Sequence, residues 1–277
     1  MNRISDPKIT VENLRKQLKT YLITYPNIRT LILGVSGGVD SALVAALALP
    51  VCKELGVQLR GYSLPTTTNT QHEILRADAV GKYLCTEFKE LSLDTYMEYF
   101  LLSMFDSTEN SFDTRVRRGN IKARLRMLLL YDFAQQGDGL VLSTDNLTEY
   151  YLGFWTLHGD VGDLGLIQNL WKTEVYALAN YIADHEYKDI QPDKWDALKV
   201  CIDAIPTDGN GVSGSDLDQI GVNSYAEVDA ILSAWVNEHK GDETHAVIQR
   251  YERTKFKRTN PYNVTPLFTA DNISGGV

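Results

Sequence analysis

Cysteine is scarce in this 277-residue chain, which contains only Cys52, Cys85 and Cys201. Their number is odd, their spacing is wide, and no CxxC pair occurs, so the pattern argues against a zinc site or a disulfide framework. Free, dispersed thiols are typical of proteins kept in a reducing compartment. We therefore expect reduced cysteines that form neither a disulfide nor a zinc site.

Long apolar runs are also missing. The longest such stretch, residues 42–52, is too short for a bilayer, which requires about 20 apolar residues. The first residues, MNRISDPKITVENLRKQL, contain no apolar core of the signal-peptide type. We therefore expect a soluble, cytoplasmic protein that does not interact with membranes.

Positive charge is in deficit, because the formal net charge is −9. A general nucleic-acid-binding protein usually presents a broad basic surface, so this balance argues against that class. Hydrophobic residues make up 44% of the chain, enough for one sizeable α/β domain but hardly for two. We predict a single domain over residues 1–262 and a poorly ordered C-terminal tail over residues 263–277.

Predicted strands and helices alternate along most of the chain. The strands are residues 30–35, 57–64, 87–91 and 139–143, and the helices are residues 11–25, 42–55, 69–84, 117–136, a segment from 146 onward, and 224–237. Residues 185–214 contain two prolines and three glycines and are predicted to be rich in loops. The alternation predicts an α/β fold, a doubly wound parallel sheet with helices on both faces. Ligands of such sheets bind beyond the carboxyl ends of the strands.

The sequence SGGVDS, residues 36–41, has the composition of a phosphate cradle. It joins an apolar strand to a helix, and its glycines permit positive φ and close approach of the backbone. Backbone N–H groups and the helix N-terminus favour an anion there. Asp40 would repel bare phosphate, which implies an intervening magnesium ion.

A plain glycine turn capped by Ser41 is the simpler alternative, but the strand–loop–helix context favours the cradle. The motif is not a Walker A loop, since no lysine follows the glycines.

SGGVDS resembles the PP-loop of the N-type ATP pyrophosphatases, which bind the pyrophosphate of ATP and transfer AMP to an acceptor oxygen. This superfamily includes synthetases of NAD, GMP, asparagine and argininosuccinate as well as tRNA-thiolating enzymes. The resemblance implies an adenine nucleotide α-hydrolase-like, Rossmann-like fold. The PP-loop alone does not choose among these activities.

Further segments resemble ammonia-dependent NAD synthetases. They are GNIKARLRM at residues 119–127, STDNLTE at 143–149, GFWTLHGD at 153–160, GVNSYAEVD at 221–229 and RYERTKFKR at 250–258. The resemblance extends over residues 31–261. It implies ATP-binding residues Gly34, Val35, Ser36, Gly37, Gly38, Val39, Asp40, Ser41, Thr144, Lys172 and Thr207. It implies deamido-NAD-binding residues Arg124, Asp163, Phe256 and Lys257. It implies magnesium ligands Asp40 and Glu149, and a catalytic pair, Asp40 and Lys172.

The reaction implied by this resemblance is the amidation of deamido-NAD. ATP adenylates the carboxylate, and ammonia then displaces AMP, so that the products are NAD, AMP and pyrophosphate. Glutamine-using NAD synthetases carry a large extra amidase domain, for which this chain has no room, so we expect free ammonia as the nitrogen donor. The resemblance also implies a homodimer.

Three positions depart from the family pattern. Leu157 stands where many relatives have a substrate-binding lysine, Phe256 replaces a histidine, and Ser63 replaces an arginine. These changes affect substrate contacts and leave the magnesium and pyrophosphate residues intact. They motivate one rival reading, a catalytically weak nucleotide-binding paralogue.

Two other readings share the fold. Another PP-loop adenylating enzyme, such as one that modifies tRNA, would usually add a basic module or reactive cysteines. A flavin- or adenosine-binding module of the electron-transfer flavoprotein kind would not need Asp40 or a second carboxylate.

Overall fold

The computed structural model describes residues 4–104, 111–206, 217, 220–261 and 263. The strands are β1 (Thr30–Gly34), β2 (Gln58–Ser63), β3 (Glu87–Glu90), β4 (Gly139–Ser143) and β5 (Leu164–Gly165). The first helices are α1 (Pro7–Thr24), α2 (Val39–Leu55), α3 (Gln71–Leu84), α4 (Asp94–Met104), α5 (Phe112–Gln136) and α6 (Leu147–Leu152). The later helices are α7 (Lys172–Ile182), α8 (Pro192–Ile202), α9 (Tyr225–Glu238), α10 (Ala246–Arg253) and α11 (Lys255–Arg258), and a π-helical stretch, Ala183–Tyr187, extends α7.

The five strands form one sheet in the order β3-β2-β1-β4-β5, and every neighbouring pair is parallel. Thr30 of the central strand pairs with Gln58 on one side and with Gly139 on the other. The predicted parallel α/β fold is thus confirmed. Because the strands run in one direction, the segments that follow β1 and β4 meet at the same edge of the sheet.

Helices cover both faces of the sheet. Leu31 and Leu33 of β1 pack into a core shared with α1, α2, α3, α7 and α8, whereas Ile32 packs on the opposite face with α4 and α5. This alternation follows the two-residue period of a strand. A third apolar cluster joins α6 to α9 and α10. The residues after β1 and β4 lie where this cluster meets the sheet.

The helix ends explain where the sequence-based boundaries differ. Asp6 caps α1 by accepting from Lys8 N at 2.8 Å and Ile9 N at 3.3 Å, so this helix begins before residue 11. Ser111 caps α5, which begins before residue 117. The helix α4 was not predicted.

The prediction that residues 185–214 are rich in loops is wrong for the first part of that range. The π-helical stretch and α8 occupy much of it, and Pro192 is the first residue of α8, where its missing N–H costs no hydrogen bond. Residues 207–214 lie outside the described residues, and so does nearly all of the predicted tail. The division into a domain and a tail stays a prediction. In the described part of the chain, no helix is both long and apolar enough to cross a membrane.

Candidate active site

The loop between β1 and α2 is shaped for an anion. Gly37 adopts a φ of +79°, and a Cβ there would lie 2.5 Å from the carbonyl oxygen of Glu73. Arg76 of α3 donates from Nε to the Gly37 carbonyl oxygen at 2.9 Å and so fixes the loop from outside. Gly38 is the N-cap of α2 and supplies no side-chain acceptor, so the N–H groups of the first turn can bind an anion.

The two serines of this loop bind each other. The hydroxyls of Ser36 and Ser41 lie 3.2 Å apart, and the Ser41 hydroxyl donates to the Gly38 carbonyl oxygen at 3.1 Å. The N–H of Gly38 donates to the Ser36 hydroxyl at 3.2 Å. These contacts hold the backbone of the loop in its turn.

At the end of β4, Asn146 connects the start of α6 to the loop. Its side chain accepts from Glu149 N at 3.0 Å, and Glu149 accepts from Asn146 N at 3.2 Å in a reciprocal cap. The amide nitrogen of Asn146 also donates to Asp40 Oδ1 at 2.8 Å. The cap therefore sets the position of Glu149 relative to Asp40.

Lys172, the first residue of α7, lies between the two carboxylates. Its Nζ is 2.5 Å from Asp40 Oδ2 and 3.0 Å from Glu149 Oε1, and the side chain is only 3% exposed. Burial by itself lowers the pKa of Lys172, but Asp40 and Glu149 outweigh it and hold that pKa well above its ordinary value. The lysine is thus a fixed positive charge beside the anion loop.

The carboxylates around this lysine are poorly solvated. Burial raises the pKa of Glu149 to about 8, an effect that Lys172 opposes and Asp40 reinforces. Burial also raises the pKa of Asp145 to about 7, with help from Asp160. A site that concentrates poorly solvated negative charge favours binding of a further cation.

The residues present suit one kind of metal. Within the described segments, no group of three or more His, Cys, Asp or Glu side chains is arranged to hold an ion. Asp40 and Glu149, however, converge on a single point, as their shared contact with Lys172 shows. Magnesium is commonly bound by one or two carboxylates together with water and substrate phosphates, so the pair fits magnesium in the presence of a nucleotide.

A cavity of about 590 Å³ opens in front of this cluster. Its volume lies in the range of small-molecule sites. The loop after β1 and the start of α7 form one end, and residues 153–156 with α10 and α11 form the other. One cavity therefore reaches from the anion loop to the basic C-terminal segment.

The basic segment of α10 and α11 is anchored to the end of α6. Arg250 donates to the Leu152 carbonyl oxygen at 2.9 Å, and Lys257 donates to the Gly153 carbonyl oxygen at 2.7 Å and also to that of Trp155. Cations suit these carbonyls, which carry the partial negative charge of a helix C-terminus. Burial, with help from Arg250, lowers the pKa of Lys257 to about 8.

The structure brings most of the predicted site residues to this cavity. Its lining includes Gly34, Val35, Ser36, Gly38, Val39, Asp40, Thr144, Glu149, Lys172 and Lys257. Gly37 and Ser41 are buried within the same loop. Thr207 lies outside the described residues.

Three predicted substrate residues do not line the cavity. Arg124 donates to the Leu157 carbonyl oxygen at 3.2 Å, and Phe256 is 61% exposed. Asp163 accepts from Val141 N at 3.0 Å and from the Tyr131 hydroxyl at 3.3 Å, so it ties the start of β5 to β4 and α5. Substrate-binding roles for these residues remain predictions.

Several further residues of the site have no role assigned from the sequence. Asp160 lines the cavity and accepts from Thr156 N at 2.7 Å, and the half-buried Arg126 lines it too. Tyr225 places its ring 5.4 Å from Lys172 Nζ. Each lies in a segment that carries the family resemblance, so the segments were the available signal. Nothing in their spacing singled out these residues.

Comparison with known proteins identifies the family to which this chain belongs. The model of the NAD synthase family matches residues 10–262. The NH(3)-dependent NAD(+) synthetase of Mycoplasmopsis pulmonis is 35% identical over 77% of this chain and 77% of its own length. That of Methanosarcina mazei is 29% identical over 84% of this chain and 89% of its own length.

Solved structures agree with this result. The NMN synthetase from Francisella tularensis superposes with a TM-score of 0.76 at 29% identity and covers 96% of this chain and 100% of its own. An NH3-dependent NAD synthetase from Campylobacter jejuni superposes with a TM-score of 0.70 over 95% of this chain and 100% of its own, and at 24% identity it supports the fold alone. By the family match, the relatives and the fold, the chain belongs to the NAD synthase family.

Proposed function

We propose that this chain catalyses the ATP-dependent amidation of deamido-NAD with ammonia, giving NAD, AMP and pyrophosphate. The observation that carries the proposal is the placement of Lys172 between Asp40 and Glu149, next to a loop built for an anion. Such an arrangement serves a departing pyrophosphate better than it serves simple nucleotide binding.

The residues divide the work of the first step. The N–H groups at the start of α2 and the hydroxyl of Ser36 bind the pyrophosphate of ATP, while Ser41 holds the loop in its turn. Asp40 and Glu149 would hold magnesium, which would neutralise the negative charge that develops on the leaving pyrophosphate. Lys172 contributes a fixed positive charge to the same end. Positioning and electrostatics then supply most of the acceleration.

The reaction needs no covalent intermediate on the protein. The substrate carboxylate attacks the α-phosphorus of ATP, and the bond to pyrophosphate breaks. Ammonia then attacks the carbonyl carbon of the adenylate, and AMP departs. The thiols of Cys52, Cys85 and Cys201 are buried, and burial raises the pKa of each to about 12, which makes them poor nucleophiles.

A second acceptor is favoured by a specific observation. Arg124, Asp163 and Phe256, assigned by resemblance to the dinucleotide, lie outside the cavity, and Leu157 lacks the charge found in many relatives. A similar structure is that of an NMN synthetase. The smaller acceptor, nicotinate mononucleotide, has the same reacting carboxylate and would use the same ATP site. It is our second candidate for the substrate.

The assembly and location belong to the proposal as well. We infer a homodimer, as the family resemblance implies, and a cytoplasmic location, as the dispersed free cysteines indicate. Light scattering during size-exclusion chromatography measures the first: a mass near twice the 31.1 kDa of one chain supports a dimer, and a mass near 31.1 kDa refutes it.

The test is amide formation from four components: ATP, magnesium, ammonium and one of the two acceptors. Wild type is compared with Asp40→Asn and with Glu54→Gln, a control on the same helix whose exposed carboxylate pairs with Lys19. We expect amide formation to require all four components, to vanish in Asp40→Asn and to persist in Glu54→Gln.

The results of this assay distinguish the proposed function from its alternatives. Faster turnover of the mononucleotide would replace our first substrate with our second. Pyrophosphate release that ignores both acceptors would point to another PP-loop enzyme. Nucleotide binding without turnover would contradict the proposal and favour a nucleotide-binding paralogue.

A further inference from the structure

Asp229 is a buried carboxylate that the reaction above does not use. It lies on α9, is 4% exposed, and is absent from the lining of the cavity. A buried charge is costly unless it is fully hydrogen-bonded, so its partners indicate what it does. Those partners are the residues next to Glu149 and Lys172.

Each carboxylate oxygen of Asp229 binds a different helix. Oδ1 accepts from the Thr148 hydroxyl at 2.5 Å, and Thr148 directly precedes Glu149 on α6. Oδ2 accepts from Thr173 N at 2.9 Å, and Thr173 directly follows Lys172 on α7. One side chain thus joins the first turns of the two helices that carry the candidate metal ligand and the catalytic lysine.

The Thr148 hydroxyl closes the arrangement. It donates to Asp229 and accepts from Lys172 N at 2.8 Å, so the backbone of the lysine is also bound to α6. Thr148 is fully buried. Because the first turn of a helix carries partial positive charge, a carboxylate between two such turns is favourably placed.

A second residue of α9 contacts the same lysine. Tyr225 lies four positions before Asp229, on the same helical face, and its ring is 5.4 Å from Lys172 Nζ. The helix α9 therefore binds the backbone of Thr173, next to Lys172, through Asp229, and it places the ring of Tyr225 near the Lys172 ammonium.

We infer that Asp229 is a positioning residue, which fixes α6 against α7 and so sets the spacing of Lys172 and Glu149. The inference rests on the proposed function, because it assigns Asp229 to the adenylation machinery of that site. Asp229 acts through Thr148 and Thr173 and does not touch the substrate. Loss of its charge lets the two helix starts separate, which misplaces Glu149 for the cation and Lys172 for the leaving group.

The principal variant is Asp229→Asn. It keeps the shape of the side chain but removes its charge and one of the two oxygens that accept from Thr148 and Thr173. Thr148→Val removes the linking hydroxyl, and Thr148→Ser restores it. The matched control is Glu227→Gln on the same helix, because Glu227 is half-buried, lies outside the cavity lining, and accepts from Asn223 N at 3.1 Å. A loss caused only by a weakened α9 would appear in this control too.

Two measurements are made on each full-length variant. The first is steady-state amide formation as a function of ATP and of magnesium. The second is calorimetric binding of α,β-methylene-ATP with and without magnesium, which needs no turnover. Melting temperature is recorded in parallel.

For Asp229→Asn we expect kcat to fall about 10-fold to 100-fold and half-saturating magnesium to rise, while KM for ATP changes less than about threefold. The gain in analogue affinity that magnesium gives should shrink by a similar factor. Thr148→Val should behave like Asp229→Asn, and Thr148→Ser should recover most of the lost kcat.

Two results would overturn the inference. One is wild-type kcat and wild-type magnesium dependence in Asp229→Asn. The other is a loss that follows melting temperature and appears equally in Glu227→Gln. If wild type binds the analogue with magnesium but forms no amide, the proposed function fails, and the calorimetric comparison still decides the role of Asp229.

Discussion

Lys172 is the residue on which the charge balance of the site depends. Its ammonium is the shared partner of Asp40 and Glu149, and all three side chains are largely removed from water. Removing one member of such a group leaves the others as poorly solvated negative charge. The lysine is therefore expected to act in stability as well as in catalysis.

Lys172→Met should abolish amide formation and lower the free energy of unfolding by about 3 kcal/mol in the absence of magnesium. Magnesium should restore part of that stability, because Asp40 and Glu149 then regain a cation. Urea denaturation with and without magnesium measures both effects. Lys199→Met, which breaks an exposed pair with Asp203, is the control and should cost less than about 1 kcal/mol. Equal costs in the two variants would contradict the argument.

Lys257 should make substrate binding sensitive to pH. Its pKa is about 8 in the folded chain, below the value of about 10.4 expected when unfolded. The folded protein therefore loses this proton first, and between these pH values the group makes stability rise with pH. Over the same range the cavity loses a positive charge, so affinity for an anionic acceptor should fall above about pH 8.

Calorimetric titration of the acceptor from pH 6.5 to 9 would measure this, without interference from the titration of ammonia. Lys257→Arg should flatten the alkaline fall, since a guanidinium stays charged. Lys255→Arg changes a neighbouring exposed lysine and should keep the wild-type profile. An unchanged profile in Lys257→Arg would assign the fall to another group.

At the scale of elements, the loop between β1 and α2 shows why two adjacent glycines are not equivalent. A Cβ at Gly37 would meet backbone of α3 at 2.5 Å, and its φ of +79° is strained for other residues. A Cβ at Gly38 would meet only the Ser36 hydroxyl, at 3.3 Å. Gly37→Ala should therefore weaken binding of α,β-methylene-ATP at least about tenfold and lower stability by about 1–3 kcal/mol, whereas Gly38→Ala should be milder in both.

Calorimetry and urea denaturation of the two variants provide the comparison. A larger effect at Gly38 would mean that the bound nucleotide, which approaches this residue, matters more than the packing of the loop on α3.

The elements that sequence reasoning found are those with strong local signals. The strand before SGGVDS is continuously apolar, and the cap formed by Asn146 and Glu149 is encoded within four residues. Asp229 could not be assigned a role in this way, since its partner Thr148 lies 81 positions away and only folding brings them together. The anchoring of Lys257 to Gly153 is equally non-local. Pro192 favours a loop when the sequence is considered alone, but it occupies the first position of α8, where a proline costs no hydrogen bond.

At the scale of the whole molecule, the cavity lies where three apolar clusters meet. The loop after β1 belongs to the core on one face of the sheet, Met127 and Leu130 of α5 to the core on the other, and Phe154 packs against the cluster formed by α6, α9 and α10. A ligand that fills this cavity contacts all of these layers at once. Its binding should therefore raise the stability of the whole fold.

A ligand present at 100 times its dissociation constant stabilises the folded state by about 2.7 kcal/mol. For a chain of this size we expect α,β-methylene-ATP with magnesium to raise the melting temperature by about 5 °C or more. Asp40→Asn should lose the part of this shift that requires magnesium and keep the part that the nucleotide gives alone, because the N–H groups of α2 remain. Glu54→Gln should keep both parts. A full magnesium-dependent shift of the melting temperature in Asp40→Asn would mean that the cation binds elsewhere. Two separate unfolding transitions, of which the ligand shifts only one, would mean that the layers around the cavity do not unfold as one unit.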